Sequence, residues 1–258
     1  MGRETVRLTK EQETLLATLY GRALDCRAAQ PILGDEAAVE ALGRLDYDFS
    51  KLKMSGNDAV SVAIRAKYLD RIAMEDLANL SEANVLHLGC GLDSRVLRLD
   101  PSAKVGWYDV DYPEVIELRR RVYGEYAHRK SYRMIGSSVV EPGWLDEVDA
   151  DRPVVVVAEG LVQYLNKDDL VALLERITDR FPTGRIGFDA WNSLAARLAP
   201  LQRQLRAIGG KTAGWGIDDP RELAHLVPRL GFDSEIIFTE IPELDRLTWP
   251  YRVLIGLM

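Results

Sequence analysis

The chain has 258 residues, 47% of them apolar and 28% charged, with a net charge of −7. These proportions exclude a disordered or low-complexity chain and fit one large α/β domain with room for a small appended subdomain. The acidic balance excludes a nucleic-acid surface as the main business, because phosphate binding needs a dense basic patch; the cluster "ELRRRV" at Glu117–Val122 reads as a solvated helix face. Cys26 and Cys90 are too few for a disulfide framework or a cysteine-based zinc site, so no metal is expected and a reducing cytoplasm fits best. The opening "MGRETVRLTKEQ" lacks the apolar core of a signal peptide, and Val6 stands where a myristoylation signal needs Ser or Thr. The longest aliphatic run, Val154–Val157, is too short to span a bilayer, so no membrane partner is expected.

In chain order, Thr9 and Gln12 form a capping-box pattern ahead of Leu15, Leu16, Leu19, Ala23 and Leu24, which recur at helical spacing. The passage containing "QPILGDEA" and "DYDFSKLKMSGND" reads as turn-rich. A second helix is predicted over about Asp58 to Leu77, with Val60, Ile64, Tyr68 and Ile72 on one stripe. Together these make residues 1–80 an N-terminal helical cap. From Asn84 onward short apolar runs alternate with amphipathic segments, the pattern of a parallel sheet with crossover helices. The predicted strands are "NVLHLG", "KVGWYDV", "SYRMIG", "PVVVVAEG" and "GRIGFDAW". Helix starts are predicted at Pro113 with Asp111 and Glu114 as caps, at Asn166 with Asp169, and at Asp219 with Pro220, the last stopping at Gly231. The final runs, "SEIIFTEIP" and "YRVLIGLM", read as two strands joined too closely for a crossover, hence antiparallel. A mostly parallel sheet with an antiparallel C-terminal strand predicts a Rossmann-like class I methyltransferase fold over residues 81–258.

In "VLHLGCGLDSR", Gly89 and Gly91 let the chain turn sharply and present backbone N–H groups to a ligand. The dinucleotide fingerprint requires a further Gly or Ala where this chain has Ser94, which weakens a nicotinamide reading. The second strand ends in "WYDVDYPEV", about 20 residues on, where a carboxylate can take ribose hydroxyls. Asp109 and Asp111 are both candidates, and spacing does not choose between them. Glu159 and Gly160 end the fourth strand at the edge where open α/β sheets bind ligands.

Taken together, "RALDCRAAQPILGDEAA", "AIRAKYLD", "VLHLGCGLDSRVLRL", "WYDVDYPEV", "GSSVVEPGWLDEV" and "AEGLVQYL" resemble the leucine carboxyl methyltransferase family, in its bacterial polyketide O-methyltransferase branch, over about Tyr20 to Leu165. The resemblance implies a class I fold that uses S-adenosylmethionine to methylate an oxygen, often a carboxylate. It implies that Arg65 holds the cofactor's methionine carboxylate with Arg22 as a second basic contact. Gly89 would cover the methionine part, Asp111 take the ribose hydroxyls, and Glu159 lie beside the sulfonium. The family pattern often has Asp-Leu where this chain has Ser138-Val139, so the adenine contact there is expected from a serine hydroxyl or from backbone. A guanidinium suits a methionine carboxylate because it grips one in a bidentate fork.

Transfer from a sulfonium is an in-line displacement that alignment can largely catalyse, and an acceptor carboxylate is already ionised near neutral pH. Of the three histidines, His87 lies mid-strand as a packed core residue, and His128 and His225 fall on helices as surface groups. Tyr164 is the candidate to line the acceptor pocket. The segment at about 191–217, with Trp191, Asn192 and Trp215, is expected to form a lid. The leading expectation is an O-methyltransferase acting on a carboxylate or hydroxyl of a small metabolite such as a polyketide. A protein carboxyl methyltransferase, a nicotinamide-dependent oxidoreductase and a cofactor binder without catalysis are the alternatives. No oligomeric state is read from the sequence.

Overall fold

The computed structural model describes residues 4–5, 14–124, 131–198 and 215–256. Its centre is a five-stranded, wholly parallel sheet of β1 (Ala83–Leu88), β2 (Val105–Asp111), β3 (Tyr132–Gly136), β4 (Val154–Ala158) and β5 (Gly184–Phe188), in the order β3-β2-β1-β4-β5. All five are the apolar runs predicted as strands. The β4 run shows why they pair as they do. Val154, Val156 and Ala158 pack with Leu170, Leu173, Leu174 and Ile177, while Val155 and Val157 pack with Leu69, Ala73 and Leu77. A strand covered on both faces must be apolar at every position, and parallel strands are of this kind.

The helices on those faces are α1 (Thr14–Cys26), α2 (Glu36–Arg44), α3 (Gly56–Ala78), α4 (Arg95–Leu99), α5 (Pro113–Tyr123), α6 (Lys167–Arg180), α7 (Ser193–Leu198), α8 (Arg221–Leu226) and α9 (Trp249–Gly256). The Thr9–Gln12 capping box lies outside the described residues. Helix α3 starts earlier than predicted, because Ser55 and Asp58 form a reciprocal capping box. One side of it, with Leu69, Ala73 and Leu77, lies on the sheet. The predicted stripe of Val60, Ile64 and Tyr68 instead packs against Ile241, Leu244, Leu247 and Tyr251 near the C-terminus. Helix α2 falls in the passage read as turns. Its N-cap is Asp35, whose carboxylate accepts from Ala38 N at 3.0 Å, and Ala38 and Ala41 seal it against Leu16, Leu19 and Ala23 of α1.

Asn166 caps α6 as predicted, accepting from Asp169 N at 2.9 Å. The α5 start is different: its N-cap is Tyr112, with no side-chain capping bond, because Asp111 turns away from the helix. Helix α8 is capped by Pro220, and Asp219 instead accepts from Arg221 N. It stops at Leu226, well before Gly231, since Pro228 disfavours helical geometry at the residue before it.

The expected antiparallel C-terminal pair is not formed among the described residues. Residues 234–237 carry no strand pairing, and the last run becomes α9. Short apolar runs fit either structure by pattern alone, and here tertiary contacts decide. Pro250 is tolerated in a first helical turn, and Tyr251 reaches back to donate to Asp58 at 2.9 Å. Residues 199–214 of the expected lid lie outside the described residues. The ends of that segment meet: Ile217 N donates to Trp191 O at 2.8 Å, and Gly216 sits so close to the Asn192 backbone that a β-carbon has no room there. Asn192 caps α7 through Ala195 N, and Trp215 packs on the main core. Among the described residues no helix is long and apolar enough to cross a membrane.

Candidate functional site

Strand order reverses between β1 and β4, so their carboxyl ends deliver two turns to one crevice, the position where open α/β sheets bind ligands. After β1 comes the glycine loop. Gly89 has φ of +62° and a β-carbon there would lie 3.1 Å from Leu161; Gly91 has φ of +49°. After β4 come Glu159 and Gly160, the latter at φ of +68°.

Asp111 ends β2 beside this loop. Its Oδ2 accepts from Gly91 N and its Oδ1 from Tyr112 N, both at 2.7 Å. Burial nevertheless dominates and pushes its pKa up to about 6. Asp109, two residues earlier, is fully buried. It accepts from His87 Nδ1, Trp107 Nε1, Arg119 and the Tyr132 hydroxyl. Burial would raise its pKa, but Arg119, His87 and Tyr132 outweigh that and lower it to about 2. Asp109 therefore has no oxygen to offer a ribose, which corrects its candidacy. The two share one face of β2, and Asp111 stands at the rim because it ends the strand, whereas Asp109 lies one pleat further into the core.

On the other side, Arg65 of α3 donates from Nε to Glu159 Oε1 at 3.1 Å and from Nη1 to Asp189 Oδ2 at 3.4 Å. Among the described residues its Nη2 has no hydrogen-bond partner, and it lies 3.8 Å from where a Gly160 β-carbon would be. Asp189, just past β5, also accepts from Gly160 N at 2.6 Å and so fixes that turn. Glu159 receives a second guanidinium, that of Arg95, on Oε2. Burial pushes Glu159 up, but Arg65 and Arg95 outweigh it and hold the carboxyl below its ordinary range.

Beneath the loop lies a buried ion network that the sequence pattern did not announce. Arg95 donates to Asp70 and to His87 Nε2 as well as to Glu159. An arginine has only hydrogens to offer, so His87 is the neutral tautomer with its proton on Nδ1, donated to Asp109. Arg98 grips Asp70 through Nε and Nη2 and reaches Asp93 and Asp35 through Nη1. Ser94 Oγ donates to Asp35, which explains why this chain has serine where the dinucleotide fingerprint wants glycine. Arg22 is also committed here. It is 2% exposed, donates to Leu92 O at 3.2 Å and stands beside Asp35 and Asp93, so it holds the loop from behind, contrary to its expected place against the cofactor.

Of the remaining candidates Ser138 and Tyr164 are partly exposed, and Val139 is buried in the main core. Ser138 and Val139 follow β3, where Ser137 N donates to Asp111 O at 2.8 Å; Val139 O is taken by Trp144 Nε1 and Arg176. Tyr164 closes a short turn over Val162–Tyr164, close to Arg65. His225 is exposed on α8, and His128 lies outside the described residues.

Residues 16–178 match the family described as leucine carboxyl methyltransferase. The chain belongs to that family. It is 48% identical over 241 residues, covering 93% of this chain and 88% of the relative, to the tetracenomycin polyketide synthesis O-methyltransferase of Streptomyces glaucescens. It is 38% identical over 263 residues, covering 95% and 88%, to an S-adenosyl-L-methionine-dependent methyltransferase of Gibberella zeae. Among solved structures, the geranyl diphosphate C-methyltransferase of Streptomyces coelicolor matches with a TM-score of 0.52 at 13% identity, over 89% of this chain and 86% of that one, a likeness of fold. The chain is accordingly an S-adenosyl-L-methionine-dependent O-methyltransferase of the leucine carboxyl methyltransferase family with a class I fold, and the nicotinamide reading is set aside.

The crevice fits that cofactor. The free corner of Arg65 suits a carboxylate, Glu159 and Asp189 suit the neighbouring positive charges, and Asp111 at the end of β2 suits a ribose. The stretch "LGCGLDSR" divides accordingly: Gly89 is partly exposed, while Gly91, Asp93, Ser94 and Arg95 are buried.

Proposed function

We propose that the enzyme methylates a carboxylate oxygen on a small, polyketide-type metabolite in the cytoplasm. The observation that carries the choice of oxygen is the commitment of every base near Glu159 among the described residues. Glu159 is held ionised by two arginines, Asp189 is tied to Arg65 and Gly160, and His87 is neutral and walled in between Asp109 and Arg95. A carboxylate acceptor needs no proton removed near neutral pH, so a corner whose bases are all paired suits it. The polyketide class is supported by the relative from Streptomyces glaucescens.

S-adenosylmethionine supplies an electrophilic methyl group on a sulfonium that leaves readily. The chain's own part is to align donor and acceptor. Arg65 would hold the methionine carboxylate, Asp111 the ribose hydroxyls, the Ser138–Val139 turn the adenine, and Glu159 would place negative charge beside the sulfonium. Gly89 and Gly160 keep side chains out of the methionine path, and Tyr164 would line the acceptor side. Such positioning can account for most of the acceleration of a displacement with a good leaving group.

The test is transfer of tritiated methyl from S-adenosylmethionine to aromatic polyketide acids, the matching phenols and a protein lysate. Label on an aromatic acid that alkali releases as methanol supports the reading. Alkali-stable label on the phenols, or label confined to the lysate, sinks it.

A further inference from the structure

One carboxylate at the strand ends joins three elements. Asp189 stands one residue past β5, where its N donates to Ala158 O at 3.4 Å, so its backbone is mounted on the sheet. Its Oδ1 accepts from Gly160 N at 2.6 Å and its Oδ2 from Arg65 Nη1 at 3.4 Å. The turn after β4 and the guanidinium from α3 therefore hang on the two oxygens of one group. Arg65 needs such a support, because it reaches this corner at the end of a long side chain with many rotamers. Glu159 Oε1 holds its Nε at 3.1 Å, a single contact about which the guanidinium can pivot. The other oxygen of Glu159 is engaged by Arg95, so Glu159 does not grip Arg65 a second time. Asp189 supplies the second contact on a different nitrogen, and two anchored nitrogens fix the direction of the planar fork.

We infer that Asp189 is a positioning residue for the methionine end of the cofactor: it aims the Arg65 guanidinium and sets its place relative to the Gly160 turn. This rests on the assignment of Arg65 to the methionine carboxylate. The inference carries a sign that separates it from plain electrostatics. A carboxylate beside an anion's site repels the anion, so by charge alone the loss of Asp189 tightens the hold on a ligand carboxylate. Positioning through Arg65 has that loss weaken it.

The experiment is calorimetric titration with S-adenosylhomocysteine on the wild-type chain, Asp189→Asn, Arg65→Ala and the double variant, each at a temperature where circular dichroism shows it folded. Asp189→Asn keeps the shape and one acceptor for Gly160 N, and it sets an amide N–H against Arg65. In the wild-type background it is expected to weaken binding about tenfold; in the Arg65→Ala background the same substitution is expected to change affinity less than about twofold. Should Asp189→Asn not fold, Asp189→Glu, which keeps the charge but moves it by one methylene, takes its place with the same expectations. Unchanged or tighter binding by the Asp189 variant while Arg65→Ala still loses affinity overturns the inference and leaves the Arg65 assignment standing. Equal weakening in both backgrounds also overturns it, since it means a structural role independent of Arg65. Wild-type affinity of Arg65→Ala overturns the assignment of Arg65 and the inference with it.

Discussion

Arg65 and Arg95 both end on Glu159, one on each oxygen, and they differ in what is left over. The Arg95 side chain is fully buried, and Asp70, His87 and Glu159 take donors from each of its three nitrogens. The Arg65 side chain is 23% exposed and, among the described residues, keeps one nitrogen unpartnered. Charge is thus alike in the two, and what supports the cofactor role proposed for Arg65 is the donor it keeps at the strand ends. The same contrast separates Asp109, which takes four donors in the core, from Asp111, which takes two backbone N–H groups at the rim.

Breaking the saturated partner has the largest expected effect. Arg95→Ala leaves Asp70 and Glu159 short of a buried partner, a change of about 3–5 kcal/mol. The melting midpoint should fall by roughly 10 °C in a chain of this size, as followed by circular dichroism. A midpoint within about 2 °C of wild type would show that the network carries little stability. Arg65→Ala should do the reverse. Its fold should persist while affinity for S-adenosylhomocysteine drops about a hundredfold, the scale of charge-assisted hydrogen bonds lost to a buried carboxylate. Wild-type affinity would remove Arg65 from the site.

The smallest effect belongs to Asp111 and appears as pH dependence. Its folded pKa is raised to about 6, so on its own the empty protein loses stability as pH rises from the ordinary carboxylate range through about 6. Cofactor binding should run the other way, because ribose hydroxyls donate to the ionised form. Affinity should be full above pH 6 and fall by at most about tenfold per unit below it. In Asp111→Asn the affinity should be lower throughout and flat across this range. A wild-type profile that stays flat from pH 7 to pH 5 would contradict the assignment.

Much of this architecture was legible because it is local. Val154–Val157 reads as a doubly covered strand, Asn166 and Asp169 as a helix start, and Gly89 and Gly91 as a sharp turn after β1. Helix α2 escaped because its buried face is alanine, too weakly apolar to show a period. The C-terminal runs were misread because Tyr251 owes its helical place to Asp58, 193 residues away. The ion network was illegible for the same reason. Arg65 and Glu159 are 94 residues apart, and no spacing rule joins them. The signature "LGCGLDSR" was read as a ligand loop throughout, yet its charged half is buried and serves the scaffold.

That network also constrains how the protein can be re-engineered. Asp35, Arg22, Arg65 and Asp70 come from the first three helices, while Asp93, Arg95, Arg98 and Glu159 come from the sheet side. A chimera that exchanged residues 1–80 for those of a relative, in order to graft on a new acceptor preference, would inherit half a set of matched charges. The two sets of charges match only as a pair, so single changes near the strand ends are a safer way to alter preference than an exchange of residues 1–80.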